Sequence, residues 1–189
     1  MQSKTQKMAL VSMFAVLTII GAQIKIPIPQ VSFTLQIFFV ILSGLILGSR
    51  LGFLSQVIYI AIGLIGIPVF STGGGISYIF KPSFGYIIGF AVAAFVTGKI
   101  KELLGSKKLT YFKLFTSSFI GLVSCYVFGV TYLILYSNLL QGANSNIQSV
   151  LISGFLAFIP LDLIKLAAAS WVAKEVLNRL PYFTLRYDS

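Results

Sequence analysis

Residues 110–137 read TYFKLFTSSFIGLVSCYVFGVTYLILYS, an apolar run whose one charged side chain is Lys113, near its start. A bilayer core of roughly 30 Å takes about 20 helical residues, with about 17 to 25 as the usual range. This run exceeds that range and is long enough to tilt or to project beyond the membrane. Five more apolar segments flank it, at 8–22, 33–48, 51–67, 83–104 and 149–180; the first three are short and the last is long. Hydrophobic residues make up 57% of the 189, charged residues 10%, and mean hydropathy is +0.96, beyond the apolar share of soluble domains. The excess must face lipid, and no polar block is left for a second domain. The expected fold is an all-α integral membrane protein: one domain over 1–189, a bundle of six transmembrane helices. The first apolar run lacks a small-residue cleavage pattern and is expected to remain in the mature protein.

The net charge of +10 comes from 14 Lys and Arg against four acids. In a soluble chain it would suggest nucleic acid as a partner; here topology explains it better. With six spans, one side collects Lys4, Lys7, Arg50, Lys99, Lys101, Lys107, Lys108, Lys113, Lys174, Arg179 and Arg186. The other side holds Lys25 and Lys81, and Lys165 lies inside a span. Basic residues are retained on the cytoplasmic side, so both termini are expected there, in a multi-pass protein of the cell membrane. No nucleic-acid partner is expected. Cys125 is the only cysteine and there is no histidine. That removes disulfide, zinc and Cys-His chemistry and leaves a buried structural thiol, with no metal or cofactor expected.

The two outward connections are punctuated. Residues 23–32 carry Pro27 and Pro29, and residues 67–82 carry Pro68 followed by Gly73, Gly74 and Gly75. Proline breaks the helical ladder, and consecutive glycines permit tight turns and close approach to a ligand. Irregular backbone near membrane depth must be buried in protein or line a cavity. Two such segments on one face suggest a lidded pocket.

In Phe158-Ile159-Pro160-Leu161-Asp162-Leu163-Ile164-Lys165-Leu166, an acid and a base three positions apart share a helix face. Lys165 lies nine residues before Lys174, roughly 14 Å above the basic end at 1.5 Å per residue, which puts the pair near mid-membrane. Charges there face an interior cavity, pair with one another and mark a ligand or ion path. A carboxylate only accepts hydrogen bonds and an ammonium only donates them, so the pair suits a ligand with adjacent N–H and C=O groups, such as a cyclic urea. Gln36 and Thr34 at the start of the second span, and Tyr78 and Tyr86 around the third connection, could add polar contacts in an aromatic pocket; the tyrosines suit an interfacial belt equally well. Lys81 follows the glycine turn and would attract a ligand carboxylate. Lys25 has a weaker case, beside the prolines with no glycine turn nearby. The chain has no G-x-x-x-x-G-K-[ST] loop, so it is not itself an ATPase. In the first span Ala9, Ser12 and Ala15, with Thr18 and Ala22, would let a partner helix approach closely, or pack internally.

Together these features resemble the BioY-type biotin-binding subunits of energy-coupling factor (ECF) transporters. The likeness runs through Gly21-Ala22-Gln23, Ile26-Pro27-Ile28-Pro29, Val31-Ser32-Phe33-Thr34-Leu35-Gln36 and Leu45-Ile46-Leu47-Gly48-Ser49-Arg50-Leu51-Gly52. It continues through Gly63-Leu64-Ile65-Gly66-Ile67-Pro68-Val69-Phe70, the Gly73–Gly75 turn, Lys81-Pro82-Ser83-Phe84-Gly85-Tyr86 and Pro160-Leu161-Asp162-Leu163-Ile164-Lys165. The order and spacing across six spans carry the resemblance more than any single motif. It implies an S component: high-affinity capture of biotin by a subunit that works with a transmembrane coupling protein and two ATPases, and no enzymatic cofactor. It implies a substrate site of Asp162, Lys165, Lys81, Gln36, Thr34, Tyr78, Tyr86, Gly74 and Gly75. Asp162 would accept the ureido N–H groups and Lys165 would meet the ureido oxygen or neutralise Asp162. Lys81 would meet the valerate carboxylate, although either lysine could take it. Such subunits often dock their coupling protein through an alanine-x-x-x-alanine patch on the first helix. Here Ala9 is followed at that spacing by Met13 and Ala15 by Ile19, which leaves Ala9, Ser12 and Ala15 as candidates.

Two other readings are open at this point. One is an S component for a different vitamin. The other is an intramembrane enzyme using Asp162, which the absence of H-E-x-x-H and G-x-S-x-G patterns disfavours.

Overall fold

A computed structural model of the chain describes residues 3–26, 32–105, 110–140 and 158–179. Pro27, Pro29, Lys107, Lys108, Arg186 and the expected start of the sixth segment at 149–157 lie outside the described residues. Six α-helices are present among them: α1 (Lys4–Gln23), α2 (Gln36–Leu47), α3 (Ser49–Leu64), α4 (Phe84–Leu103), α5 (Tyr111–Leu140) and α6 (Ile159–Arg179). A two-residue antiparallel ladder of β1 (Lys25–Ile26) and β2 (Phe33–Thr34) closes the connection between α1 and α2, pairing Lys25 with Thr34 and Ile26 with Phe33. A short 3-10 helix, Ile76–Phe80, precedes α4. The departures from an all-helical chain are therefore confined to connections.

α2 is apolar all round, and a helix of that kind belongs in the core. Ten of its 12 residues are buried, from Gln36 and Ile37 through the unbroken run Val40 to Leu47. α1, α3, α4, α5 and α6 all pack against it. At 1.5 Å per residue α2 is only about 18 Å long, less than a bilayer core of roughly 30 Å. The expected second span began at residue 33, but Phe33 and Thr34 form the ladder instead. α1, α4 and α5 have the length and apolar composition to cross a membrane, while α2 and α3 are shorter apolar helices. Large apolar side chains face outward along these helices, including Val16 and Ile20 on α1, Phe53 and Val57 on α3, Phe95 on α4, and Val123 and Val127 on α5. In water such a surface would aggregate; in lipid it is at home.

α1 begins at Lys4, four residues before the apolar run, because Ser3 and Gln6 form a capping box. The Ser3 hydroxyl accepts from Gln6 N–H and the Gln6 side chain accepts from Ser3 N–H. Ala15 is only 2% exposed and packs inside the bundle. Two residues that differ by six on a helix point about 120° apart, from the turn of 3.6 residues, which is why Ala9 is exposed while Ala15 is not. Ser12 is exposed as well.

The corner between α2 and α3 is built around Gly48, whose φ of 83° is open to glycine and strained for other residues. Here a helix C-terminus and a helix N-terminus meet, each with unsatisfied backbone groups. Consecutive side chains at the end of α4 answer both. Lys101 donates to the Leu45 carbonyl at 2.7 Å, and the Glu102 carboxylate accepts from Ser49 N–H at 2.8 Å and from its hydroxyl at 3.0 Å. Cation at the C-terminus and anion at the N-terminus is the sense that helix dipoles favour. Gly98 makes the approach possible, since a Cβ there would lie 2.3 Å from Ser49 N.

Cross-helix contacts run Gly89 against Cys125 and Gly121 against Thr97, so α4 and α5 are antiparallel; Tyr126–Asp162 and Ser118–Ser170 make α5 and α6 antiparallel too. Lys25, Lys81, Asp162 and Lys165 consequently gather at the end opposite the α2–α3 corner. Removing the cap by Glu102→Ala is expected to lower stability by about 1–2 kcal/mol, because it orphans a half-buried helix N–H. Glu175→Ala, which removes an exposed ion pair with Arg179 at 3.5 Å, should change it by less than about 0.5 kcal/mol. Thermal unfolding of both variants in detergent checks the contrast.

Candidate functional site

α6 opens on Ile159-Pro160, where a proline in the first turn gives up an N–H that has no helical partner. Asp162 follows within that turn, near the positive end of the helix dipole, and its N–H reaches back to the Phe158 carbonyl at 2.9 Å. One turn on, Lys165 donates to Asp162 Oδ1 at 2.7 Å. Each residue is only 7% exposed. Because the helix starts at Ile159, the pair occupies its first two turns rather than its middle.

A buried ion pair is stable only if its remaining hydrogen-bonding capacity is met. Asp162 Oδ2 accepts from the Tyr126 hydroxyl at 2.6 Å. Lys165 Nζ donates to the Thr34 carbonyl at 2.6 Å and lies 3.5 Å from the centre of the Phe33 ring, a cation–π contact. Three elements distant in sequence, α6, α5 and β2, thus converge on one pair of charges. Phe33 also stacks on Phe158 at 6.0 Å, and Tyr86 meets Tyr126 edge-on at 6.2 Å.

Beside the pair is a cavity of about 600 Å³, counting the part open to solvent. Its walls are Ser32, Phe33 and Thr34 before α2; Gln36 and Ile37 on α2; Ser71, Tyr78 and Ser83 in the α3–α4 connection; Tyr86, Ile87 and Phe90 on α4; Leu122, Cys125 and Tyr126 on α5; and Phe158, Asp162 and Lys165. It is an aromatic pocket with polar groups at a few places.

Six residues expected from the sequence line this cavity together: Asp162, Lys165, Gln36, Thr34, Tyr78 and Tyr86. Gln36 is oriented on both sides, donating to the Tyr59 hydroxyl at 2.6 Å and accepting from the Thr34 hydroxyl at 3.0 Å. Tyr78 and Tyr86 are buried rather than at a membrane interface belt. Gly74, Gly75 and Lys81 stand outside the lining. Gly75, with φ 98°, donates to the Gly63 carbonyl at 2.7 Å, and a Cβ on Gly74 would sit 2.2 Å from the Ile67 carbonyl oxygen. The glycines therefore fold the connection down onto the end of α3. Lys81 Nζ donates to the Thr72 carbonyl at 2.8 Å and lies 4.8 Å from the Tyr78 ring centre.

Tyr126, Ser71, Ser83, Phe33 and Phe158 were not singled out by sequence. Tyr126 had no signal of its own, since the same helix carries Tyr132 and Tyr136. Asp162→Ala would strand the Lys165 ammonium and is expected to cost about 3–5 kcal/mol, whereas Tyr126→Phe should cost about 1–2 kcal/mol. Adding Lys165→Met to Asp162→Ala should recover most of the loss, a coupling that a double-mutant cycle of unfolding free energies reads directly.

A family model for the BioY family matches residues 1–182. A Lysinibacillus sphaericus protein named "probable biotin transporter BioY" is 43% identical over 175 residues, 93% of this chain and 88% of that one. A Pyrococcus horikoshii protein of the same name is 41% identical over 174 residues, covering 92% and 97%. The Thermotoga maritima "biotin transporter BioY" is 38% identical over 161 residues, covering 85% and 89%. Among solved structures, the crystal structure of the S-component for biotin from an ECF-type ABC transporter superposes with a TM-score of 0.81 at 25% identity, over 94% of this chain and 95% of that one. With a family match spanning nearly its whole length, relatives above 40% identity and an S-component fold, this chain belongs to the BioY family.

Proposed function

We propose that the chain is the biotin-capturing S component of an ECF-type transporter in the plasma membrane. It takes biotin from outside the cell and releases it to the cytoplasm when a transmembrane coupling protein and two ATPases drive its reorientation. It is read as a transport subunit and not as an enzyme. All of 1–189 forms a single substrate-binding domain of six membrane-spanning helices with both termini in the cytoplasm. The concentration of Lys and Arg at the α2–α3 corner end supports that orientation. Ala9, Ser12 and Ala15 are the candidates for docking the coupling protein; Ala9 and Ser12 are exposed on a face of α1 shared with Met13 and Val16.

The observation that carries the reading is the Asp162–Lys165 pair on the wall of an aromatic cavity. Biotin offers two N–H donors and one carbonyl acceptor on its ureido ring. Each oxygen of Asp162 already accepts one hydrogen bond, from Lys165 and from Tyr126, and a carboxylate oxygen can accept a second. Asp162 therefore retains acceptor capacity for the ureido N–H groups. Lys165 faces the ureido oxygen or keeps Asp162 ionised for that task. The fused ring would pack among Phe33, Tyr86, Tyr126 and Phe158, with Gln36 and Thr34 beside it, and Lys81 would attract the valerate carboxylate.

Equilibrium binding of biotin to purified protein tests the reading, with competition by other vitamins to establish which one is preferred. Tight binding of biotin is expected. Asp162→Asn should weaken it about 10- to 100-fold, the size of one charge-assisted hydrogen bond, and Lys165→Met by a similar factor. Absence of biotin binding, or parent-like affinity in both variants, would overturn the assignment.

A further inference from the structure

Gly121 and Gly129 both lie inside α5, although glycine is a poorer helix former than alanine. Close approach of a neighbour is one use of the missing side chain. Gly121 serves helix packing, since a Cβ there would overlap the Thr97 hydroxyl and lie 3.0 Å from the Ala93 carbonyl oxygen on α4. Gly129 is opposed by something else. A Cβ on it would overlap Cδ1 and Cε1 of the Tyr86 ring and lie 2.6 Å from Cγ. Carbon atoms rest about 3.5–4.0 Å apart, so the ring occupies the space that any side chain at 129 would need.

Tyr86 lines the cavity and Gly129 does not, so the glycine acts on the wall from behind. The ring has few ways to give. Turning it about its own axis leaves Cγ in place, so that contact is relieved only by swinging the whole side chain or by parting the helices. Parting is resisted next door at Gly85, where a Cβ would overlap that of Tyr132 and lie 2.9 Å from the Phe128 carbonyl oxygen, so α4 already rests against α5. On another side Tyr86 meets Tyr126 edge-on at 6.2 Å, and Tyr126 is tied to Asp162 by its 2.6 Å hydrogen bond. The unfilled space that the ring borders is the cavity.

We propose that Gly129, without touching the ligand, is a specificity-determining residue: by carrying no side chain it seats Tyr86 back against α5 and sets the width of the cavity where a ring system packs. The inference rests on the biotin reading above and deepens it. Biotin's ureido ring is fused to a thioether ring, and that second ring is what needs the width. A side chain at 129 would drive Tyr86 into the space the second ring takes and leave the Asp162–Lys165 pair in place.

Dethiobiotin has biotin's ureido ring and acid tail but lacks the sulfur bridge, and is the slimmer ligand. Calorimetric binding of both to the purified full chain reads the width. Gly129→Ala is expected to weaken biotin at least about tenfold, the scale of overpacking a filled site, and dethiobiotin by no more than about threefold. Tyr86→Ala removes the ring; in that background Gly129→Ala should change biotin affinity by less than about twofold, a non-additivity that a double-mutant cycle isolates. Parent-like biotin affinity in Gly129→Ala, equal weakening of the two ligands, or an undiminished effect in the Tyr86→Ala background would overturn the assignment while leaving the biotin reading standing. Should Gly129→Ala alone fail to fold in detergent, recovery of folding on adding Tyr86→Ala upholds the seat, and continued failure overturns it. Absence of binding of either ligand to the parent would sink both readings.

Discussion

Lys165 is a cation placed where water is scarce, and its needs organise one whole end of the molecule. An ammonium at 7% exposure has to be matched by charge and by hydrogen bonds, or it loses its proton or unfolds the helix that carries it. Asp162 supplies the charge from the same helix face. Thr34 supplies a carbonyl from β2, Phe33 a ring, and Tyr126 steadies the far oxygen of Asp162 from α5. Because these partners come from separate elements, the register of the β1–β2 ladder and the approach of α5 to α6 are tied to the same two charges. The charge pair is therefore a structural joint as well as a wall of the cavity.

The opposite end is held by a different device with the same logic. Where α2 turns into α3, two helix termini are turned inward together, and Lys101 and Glu102 each answer one of them. Between the two ends runs α2, nearly all of it buried, with its polar residues satisfied locally. Ser43 donates to the Val40 carbonyl at 2.7 Å, and Gln56 on α3 links Ser43 to Thr18 on α1 by contacts of 3.3–3.4 Å. The corner end is braced by a charged side chain on each of two helix termini, while the cavity described above lies at the other end, beside the two connections. That asymmetry suits a protein that must admit a ligand at one face without loosening its core.

Much of this was legible in residue order. Among the described residues the apolar segments located the helices to within a few residues, apart from the start of α1. α1 starts early through the Ser3–Gln6 box, and Thr34 leaves α2 for a ladder, because hydrogen bonding at termini is decided by individual side chains that an apolar window averages away. The i, i+3 spacing of Asp162 and Lys165 was enough to place them on one face, and their occurrence in an apolar segment made them candidates; the pair forms and lines the cavity. The glycines at 74 and 75 permit close approach, and in this structure they approach the end of α3. Ala15 has the small size of a docking residue and is buried in the bundle.

What the sequence determined by itself was that the chain belongs in a bilayer, that its basic residues are segregated, and that a charged pair sits on one helix face. These follow from periodicity and from the cost of charge in lipid, which act on each segment independently. Only the tertiary structure decided which groups complete the pair and which line the cavity. Tyr126, Ser71 and Ser83 are ordinary residues in their own segments. Their roles depend on helices separated by tens of residues arriving side by side, and that proximity is set by packing around α2, which no local pattern encodes.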